Sequence, residues 1–236
     1  GVNSLKASAT GVTAEIKAKD GSVSKGDFTH CIVAIGIVPN TENIGLEALK
    51  VETDRGFLKT DPMCRTNVPG LWAIGDITAP PWLAHKASHE GVIAAEAIAQ
   101  ALGNKDVHPH AMNALNIPGC TYCQPQVASV GLTEAQAKAA GHSTRIGRFN
   151  LNANGKALAI NEAEGLVKTV FDEQSGELLG AHMIGPEVTE QIQGFGIAQQ
   201  LEATEHELAQ SIFAHPTVSE SMHESVLDSL GIALHQ

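Results

Sequence analysis

A histidine and a glutamate near the carboxyl end of the chain have the spacing of an acid–base pair. In the segment FAHPTVSE, Pro216 fixes the backbone beside His215 and disfavours helix before it, which places the imidazole on a stiff loop. Thr217 is then expected to start a helix with Glu220 in its first turn. A carboxylate that accepts a hydrogen bond from one ring nitrogen would set the tautomer. It would also stabilise the imidazolium that forms when the other nitrogen takes a proton.

The same spacing has a purely structural interpretation. Thr217 and Glu220 fit a capping box, in which the glutamate side chain reaches back to a free backbone N–H. We expect that one carboxylate does not easily serve both roles at once. The residues alone therefore leave the acid–base and the capping interpretations open.

A second carboxylate, that of Asp76, follows a short apolar run. Residues 71–74 predict a buried strand that ends at Gly75 and Asp76, the end at which open α/β sheets bind ligands. After a proline pair, a helix with a stripe of mostly small residues is predicted, formed by Ala84, Ala87, Gly91, Ala94, Ile98 and Leu102 and ended by Gly103. Its first N–H groups and Asp76 would face the same polar ligand. The alternative is an ordinary strand–loop–helix in which Asp76 caps a turn.

Two further groups have spacings that a metal or redox site could use. His85 and His89, with Glu90 beside them, could ligate zinc, but no third ligand follows at a recognisable spacing and we predict no metal site. Cys120 and Cys123 have the spacing of a redox or zinc half-site without a second pair, and they are interpreted as structural thiols.

Two other patterns receive structural interpretations. His223 and Glu224 are interpreted as a surface or interface pair on the helix after the His215 segment. The only Gly-x-Gly, Gly194 to Gly196, lies inside a helical pattern and lacks a third glycine, which indicates close helix packing rather than a nucleotide loop.

Composition excludes several classes of function. The chain has 236 residues with 43% apolar content, enough for one or two domains with a sizeable core, and no run of membrane-spanning length. A formal charge of −11 disfavours nucleic acid and anionic membrane surfaces as partners. Four cysteines indicate a reducing compartment. Because the chain starts without Met or a signal-peptide pattern, we expect that the natural amino terminus is not present.

The predicted secondary structure indicates a different fold class in the first and in the last part of the chain. The first part predicts a hairpin that turns at residues 20–21, a buried strand at 30–35, a short helix at 43–49 and a strand at 56–60. The last third predicts four strands, at 126–130, 144–150, 165–172 and 177–184, and helices with capping boxes that begin at Thr133 and Thr204. We therefore predict an α/β part followed by an α+β domain with an antiparallel sheet.

Parts of the chain resemble the pyridine nucleotide-disulfide oxidoreductases, a family of flavoproteins. TNVPGLWAIGD followed by LAHKASHEG is similar to their second flavin-binding motif, AIGIVPNTENIGL to the end of their nicotinamide domain, and AHPTVSE to their active-site signature. The similarity is greatest to the members that oxidise dihydrolipoamide. Glutathione reductases share the histidine motif but not the LAHK helix start, and mercuric reductases usually lack the histidine. Relatives usually have Pro-Glu where this chain has Pro125 and Gln126.

The resemblance implies three regions and an incomplete cofactor set. Residues 1–40 would end an NAD-binding domain, 41–109 would be a central FAD-binding segment, and 110–236 an interface domain for dimerisation. The family's two glycine-rich pyrophosphate loops and its redox-active cysteine pair have no match in this sequence. We therefore expect the carboxyl-terminal half of a larger enzyme that, by itself, neither holds FAD firmly nor turns over.

The resemblance also implies residues that contact FAD and NAD. Asp76 matches the aspartate that hydrogen-bonds the ribityl chain of FAD, and the backbone of Ala84 matches the position beside the flavin ring, with Gly75 and Leu83 as neighbours in that site. The backbone from Ala34 to Gly36 matches a segment that lies beside NAD. The residue after it is often arginine in relatives and is isoleucine here, which leaves a plain buried strand and glycine turn as the alternative.

By resemblance, His215 with Glu220 would deprotonate a dihydrolipoyl thiol at the flavin and disulfide of the other subunit, so that the site forms only in a homodimer. The implied function is oxidation of dihydrolipoamide by NAD through FAD, with the substrate carried on a lipoyl acyltransferase of a 2-oxoacid dehydrogenase complex. The alternative is a non-catalytic dimerisation and docking module. The expected location is the bacterial cytoplasm or, alternatively, the mitochondrial matrix.

Overall fold

The computed structural model describes residues 1–235, which form two compact units. The first comprises residues 1–83 and the second residues 84–235. The boundary between them falls directly before a long helix. The three regions expected from the sequence, with boundaries at residues 40 and 109, stay a prediction.

The first unit contains a three-stranded antiparallel sheet. Its strands, in spatial order, are β1 (Val2–Ser8), β2 (Gly11–Lys17) and β3 (Val23–Phe28). The predicted hairpin is β2 with β3, and β1 was not predicted. At the turn, the Asp20 carboxylate accepts hydrogen bonds from the hydroxyl and the N–H of Ser22, at 2.7 and 2.9 Å, and these bonds lower the pKa of the Asp20 carboxyl.

Two predicted buried strands of the first unit are absent from the described residues. Residues 30–35 have no regular structure, and Ile32 and Ile35 are each 90% exposed. Residues 71–74 form only one isolated bridge, between Trp72 and Arg65, and Ile74 is exposed. An apolar run becomes a strand only when a neighbouring backbone pairs with it, and within residues 1–235 neither run has such a neighbour along its length.

Two other predictions in this unit were partly or wholly wrong. The expected helix at residues 43–49 is a series of turns, because Asn43 and Gly45 have φ angles of 58° and 88°, outside the right-handed helical region. The expected strand at 56–60 is shorter: β5 (Phe57–Leu58) pairs with β4 (Thr53–Asp54).

The second unit opens with helix α1 (Ala84–Ala101), which confirms the long helix and its end near Gly103. Its buried side is not the predicted stripe: the buried residues are Lys86, Glu90, Ile93, Ala94 and Ala97. Lys86 and Glu90 form an ion pair of 2.6 Å with about a tenth of each side chain exposed. Two charged residues can be buried together because each neutralises the other. Of the predicted stripe only Ala94 is buried.

A five-stranded antiparallel sheet forms the centre of the second unit. The four strands predicted here are present within about a residue at each end, and the short first strand, which contains Cys120, was missed. In chain order the strands are β6 (Gly119–Thr121), β7 (Gln126–Gly131), β8 (Thr144–Asn150), β9 (Leu166–Asp172) and β10 (Leu178–Gly185). In space the order is β6, β7, β10, β9, β8.

Five shorter helices accompany this sheet. They are α2 (Glu134–Ala139), α3 (Gly155–Ala159), α4 (Val188–Gln200), α5 (Glu205–Gln210) and α6 (Glu220–Ser229). Both predicted capping boxes exist, at Thr133 for α2 and at Thr204 for α5. A Cβ on Gly194 of α4 would approach Met222 Cε to 3.1 Å, which supports the interpretation of close packing there.

Helix α6 lies directly on β8. A Cβ on Gly147 of β8 would meet the carbonyl oxygen of Ser225, so only glycine allows this approach without a shift. Three buried serines, one turn apart, line α6, and each hydroxyl donates to the carbonyl oxygen three residues earlier: Ser221, Ser225 and Ser229. Small side chains that satisfy their own polar atoms let the helix pack closely against the sheet.

Candidate functional site

His215 and Glu220 form the expected pair. His215 Nδ1 lies 2.9 Å from Glu220 Oε1, and the second oxygen, Oε2, accepts the backbone N–H of Thr217 at 2.9 Å. The expectation that one carboxylate could not serve both roles was wrong, because its two oxygens take one partner each. The glutamate thereby holds both the imidazole and the backbone of the loop that carries it.

The loop between the two residues contains only half of the predicted capping box, the bond from the Thr217 N–H to Glu220. Helix α6 begins at Glu220 itself, rather than at Thr217 as predicted. The Thr217 hydroxyl donates to the carbonyl oxygen of Ala214 at 2.6 Å and thus stabilises the loop around His215. Since Pro216 follows His215 with fixed φ, the imidazole is attached to a backbone restrained on both sides.

The electrostatics of the pair favour an ionised glutamate. Burial raises the pKa of the Glu220 carboxyl, but the N–H of Thr217 and the ring of His215 outweigh it, and the pKa lies below its usual value. The His215 side chain is 79% exposed, and its Nε2 has no partner among residues 1–235. This nitrogen is therefore free to exchange a proton with a substrate.

A cavity of about 610 Å³ lies beside the pair. Its titratable lining residues are His215, Glu220, His223, Glu224 and His235. His223 and Glu224 were predicted as a surface or interface pair; Glu224 is buried rather than on the surface of this chain, each residue has other partners, and the interface stays a prediction. His223 Nε2 lies 2.9 Å from the carbonyl oxygen of Ala209, and the ring stacks on Phe213.

Glu224 is instead buried and binds the end of the chain. It accepts hydrogen bonds from the backbone N–H groups of Leu234 and His235, and its Oε1 lies 2.7 Å from His235 Nδ1. His235 was not identified from the sequence. Residues eleven positions apart on either side of a turn have no characteristic spacing, and no pattern in the sequence could have indicated this contact.

Asp76, in the first unit, lies in a short 3-10 helix, Gly75–Ile77, rather than at the end of a strand. It does not cap the turn: the N–H and hydroxyl of Thr78 both donate to the carbonyl oxygen of Gly75. The Asp76 carboxylate is exposed. It is thus placed to accept hydrogen bonds from a hydroxyl-bearing ligand.

The other predicted cofactor contacts are also accessible. Leu83 is half-buried at the end of the first unit, and Ala84 is exposed at the start of α1, where the first N–H groups have no partner within the helix. Ala34 and Gly36 lie in the exposed segment that replaces the predicted strand, and Gly36 has a φ of 68°.

The cysteines and histidines considered as metal ligands have other contacts. Cys120 and Cys123 are free thiols, and burial, together with the charge of Glu190, raises the pKa of the Cys120 thiol. His85 Nε2 lies 2.8 Å from the carbonyl oxygen of Pro118. Within the described residues no three His, Cys, Asp or Glu side chains are grouped to hold a metal, and no helix is long and apolar enough to cross a membrane.

Two family models match the chain in sequence order. Residues 1–91 match "Pyridine nucleotide-disulphide oxidoreductase", and residues 117–226 match "Pyridine nucleotide-disulphide oxidoreductase, dimerisation domain". Among curated proteins, the dihydrolipoyl dehydrogenase of Zymomonas mobilis is 60% identical over 225 residues, which are 95% of this chain and 47% of that protein. That of Rhizobium etli is 53% identical over 234 residues, 99% of this chain and 48% of that protein.

Solved structures agree with these sequence matches. LpdA from Mycobacterium tuberculosis superposes with a TM-score of 0.80 at 28% identity, over 95% of this chain and 47% of that one. The flavoprotein disulfide reductase RclA from Escherichia coli shares the fold, with a TM-score of 0.81 at 21% identity over 96% of this chain and 50% of that one. The chain spans about half the length of the relatives it matches. From these matches and the His215–Glu220 geometry, the chain belongs to the pyridine nucleotide-disulphide oxidoreductase family.

Proposed function

We propose that this chain contributes the acid–base pair and part of the cofactor contacts to an FAD-dependent dihydrolipoyl dehydrogenase that uses NAD. The observation that carries the proposal is the His215–Glu220 contact of 2.9 Å, with the second ring nitrogen open on an exposed loop. The two curated relatives with 60% and 53% identity carry the name dihydrolipoyl dehydrogenase.

In this proposal His215 acts on the thiols of dihydrolipoamide. Its Nε2 takes the proton of one thiol, because the thiolate rather than the thiol is the nucleophile in disulfide exchange. Glu220, ionised and bonded to Nδ1, stabilises the imidazolium that results. The bond from Thr217 to the same carboxylate keeps the glutamate in place during the proton transfer.

By the family resemblance, Asp76 in the first unit would contact FAD, and Ala34 and Gly36 in the same unit would contact NAD. The start of α1, in the second unit, would be a separate contact with FAD. The exposed carboxylate of Asp76 is an acceptor suited to a polyol chain, and the first N–H groups of α1 are donors suited to the electron-rich flavin ring. Gly75, with a φ of 74°, and Leu83 belong to the same proposed contacts. When bound, FAD carries the electrons of the thiols to NAD. In the exposed segment at Ala34, only backbone groups are proposed to contact NAD.

The proposed enzyme is a homodimer that receives its substrate on a lipoyl acyltransferase of a 2-oxoacid dehydrogenase complex. The match of residues 117–226 to a dimerisation domain supports the dimer. The same match supports a second candidate, in which the chain serves for dimerisation and docking alone. The proposed location is the bacterial cytoplasm, with the mitochondrial matrix as the alternative.

Replacement of His215 by Gln separates the two candidates. In the complete FAD-loaded dimer, we expect dihydrolipoamide oxidation to fall by about 10²–10⁴-fold, the usual contribution of a general base, with the oligomeric state unchanged. The matched control is His206→Gln on α5, an exposed histidine outside the cavity. Unchanged thiol oxidation in the His215→Gln enzyme would leave only the dimerisation and docking role.

A further inference from the structure

The His215–Glu220 arrangement is repeated one helical turn later. Glu224 follows Glu220 by four residues on α6, so both carboxylates lie on the same side of the helix. In each, Oε1 lies within hydrogen-bond distance of a histidine Nδ1, at 2.9 Å for His215 and 2.7 Å for His235. In each, Oε2 accepts backbone N–H from the segment that carries the histidine.

The glutamate of the second pair is more deeply buried than the glutamate of the first. The Glu224 side chain is 7% exposed, and a buried carboxylate is costly unless charge-assisted hydrogen bonds satisfy it. All three of its partners come from the last described residues, Leu234 and His235. Glu224 therefore fixes the end of the chain on α6, with the His235 imidazole at the wall of the cavity that His215 lines.

We propose that His235, held by Glu224, is a positioning residue that tunes the acid–base strength of the His215–Glu220 pair. Positive charge on His235 attracts the Glu220 carboxylate and so competes with the His215 imidazolium for it. The titratable groups around this cavity are the two pairs and His223, whose Nε2 is engaged by the Ala209 carbonyl. His235 is thus the group that can supply such charge from outside the first pair. This inference rests on the proposed function of His215.

The electrostatics of Glu220 agree with this arrangement. After the opposing effect of burial and the larger contributions of Thr217 and His215, the charge of His235 also lowers the pKa of the Glu220 carboxyl. If His235 is removed, Glu220 stabilises the His215 imidazolium more strongly. The acid limb of a pH–rate profile is then expected to move to higher pH.

The test is the pH dependence of kcat/KM for dihydrolipoamide oxidation by the complete FAD-loaded dimer. His235→Gln is expected to move the acid limb of the profile upward by about half a pH unit, the order of effect of one charge at the wall of the same cavity. His235→Lys restores a positive charge and is expected to return the limb towards that of the parent enzyme. His206→Gln, outside the cavity, controls for the loss of a histidine and should leave the profile unchanged.

The outcomes separate this inference from the proposed function. An unshifted limb in His235→Gln, while His215→Gln abolishes most activity, overturns the tuning role alone. An active His215→Gln enzyme overturns the proposed function. Equal upward shifts in His235→Gln and His235→Lys overturn the charge effect. Thermal unfolding of each variant shows whether Leu234 and His235 stay attached to α6.

Discussion

The carbonyl oxygen of Ser225 lies so close to Gly147 that a Cβ at position 147 would be 1.7 Å from it. The same oxygen accepts a hydrogen bond from the Thr169 hydroxyl at 3.2 Å, on the neighbouring strand β9. At this point a hydrogen bond holds α6 to the sheet, and the absence of a side chain on Gly147 allows the helix to approach β8. Because α6 begins with Glu220, this contact also sets where the acid–base pair lies.

Gly147→Ala is therefore expected to destabilise the second unit by about 1–3 kcal/mol or more, since backbone rather than a flexible side chain blocks the added methyl group. Urea unfolding measures the change. Gly155→Ala at the start of α3 is the matched control, because nothing lies within 4 Å of its Cβ position, and we expect it to be neutral or slightly stabilising. Equal stability of the two variants would contradict the close contact.

Glu220→Gln tests the charge of the carboxylate apart from its position. An amide oxygen can still accept the Thr217 N–H, whereas the imidazolium of His215 loses its ionic partner. We expect kcat of the complete enzyme to fall about 10- to 100-fold, the equivalent of one charge-assisted hydrogen bond. Glu207→Gln, in the capping box of α5, removes a comparable glutamate outside the cavity and should leave kcat unchanged. A similar loss in both variants would point to folding rather than catalysis.

The second unit should lose stability in acid through Glu134. Hydrogen bonds from Lys138 and Lys168 lower the pKa of the Glu134 carboxyl to about 2. A carboxyl with a lowered pKa in the folded state stabilises the fold above its unfolded pKa. That contribution declines as pH falls below about 4.5 and is gone below about 2. Urea midpoints from pH 6 to 2 should fall less steeply in Glu134→Gln.

Glu162→Gln, an exposed side chain of the same type, is the control for this titration. Its midpoints should follow those of the parent chain throughout the pH range. Asp172, whose pKa is also lowered to about 2, by the Ser175 N–H and by His142, keeps part of the acid sensitivity in both variants. An unchanged slope in Glu134→Gln would show that its lysine contacts contribute nothing in solution.

The Gln126 side chain of β7 contacts the first turn of α4. Its Oε1 accepts the hydroxyl and the N–H of Thr189, in the first turn of α4, at 2.8 and 3.2 Å. A carboxylate there would also interact with the helix dipole, and we expect Gln126→Glu to stabilise the chain by about 0.3–1 kcal/mol. Thermal unfolding at low and at 1 M salt tests this, because the gain should shrink at high salt. Destabilisation at both salt concentrations would contradict it.

Local patterns were sufficient for most of the second unit. The strands from β7 to β10 and both capping boxes depend on neighbours close in sequence, and the pair of His215 and Glu220 is five residues apart. What failed depends on distant backbone. The runs at 30–35 and 71–74 are apolar, but within the described residues the first has no strand partner and the second has only the isolated bridge from Trp72 to Arg65.

The details of the site show a different limit of sequence reasoning. A pattern of residue types does not show that a carboxylate has two oxygens to share, which is how Glu220 holds both a ring and a backbone N–H. Nor does it show that Lys86 and Glu90 are buried, because charged residues on a helix normally indicate its solvent-facing side. Both features depend on the arrangement of atoms rather than on spacing.

The small serine side chains of α6 allow the helix, and with it the His215–Glu220 pair, to lie close to the sheet. Ser221, Ser225 and Ser229 are small and buried, and the carbonyl oxygen of Ser225 lies where a side chain on Gly147 of β8 would be. A bulkier residue at any of them would tilt the helix and carry Glu220 with it. The geometry of the His215–Glu220 pair would then change through a position that lies outside it.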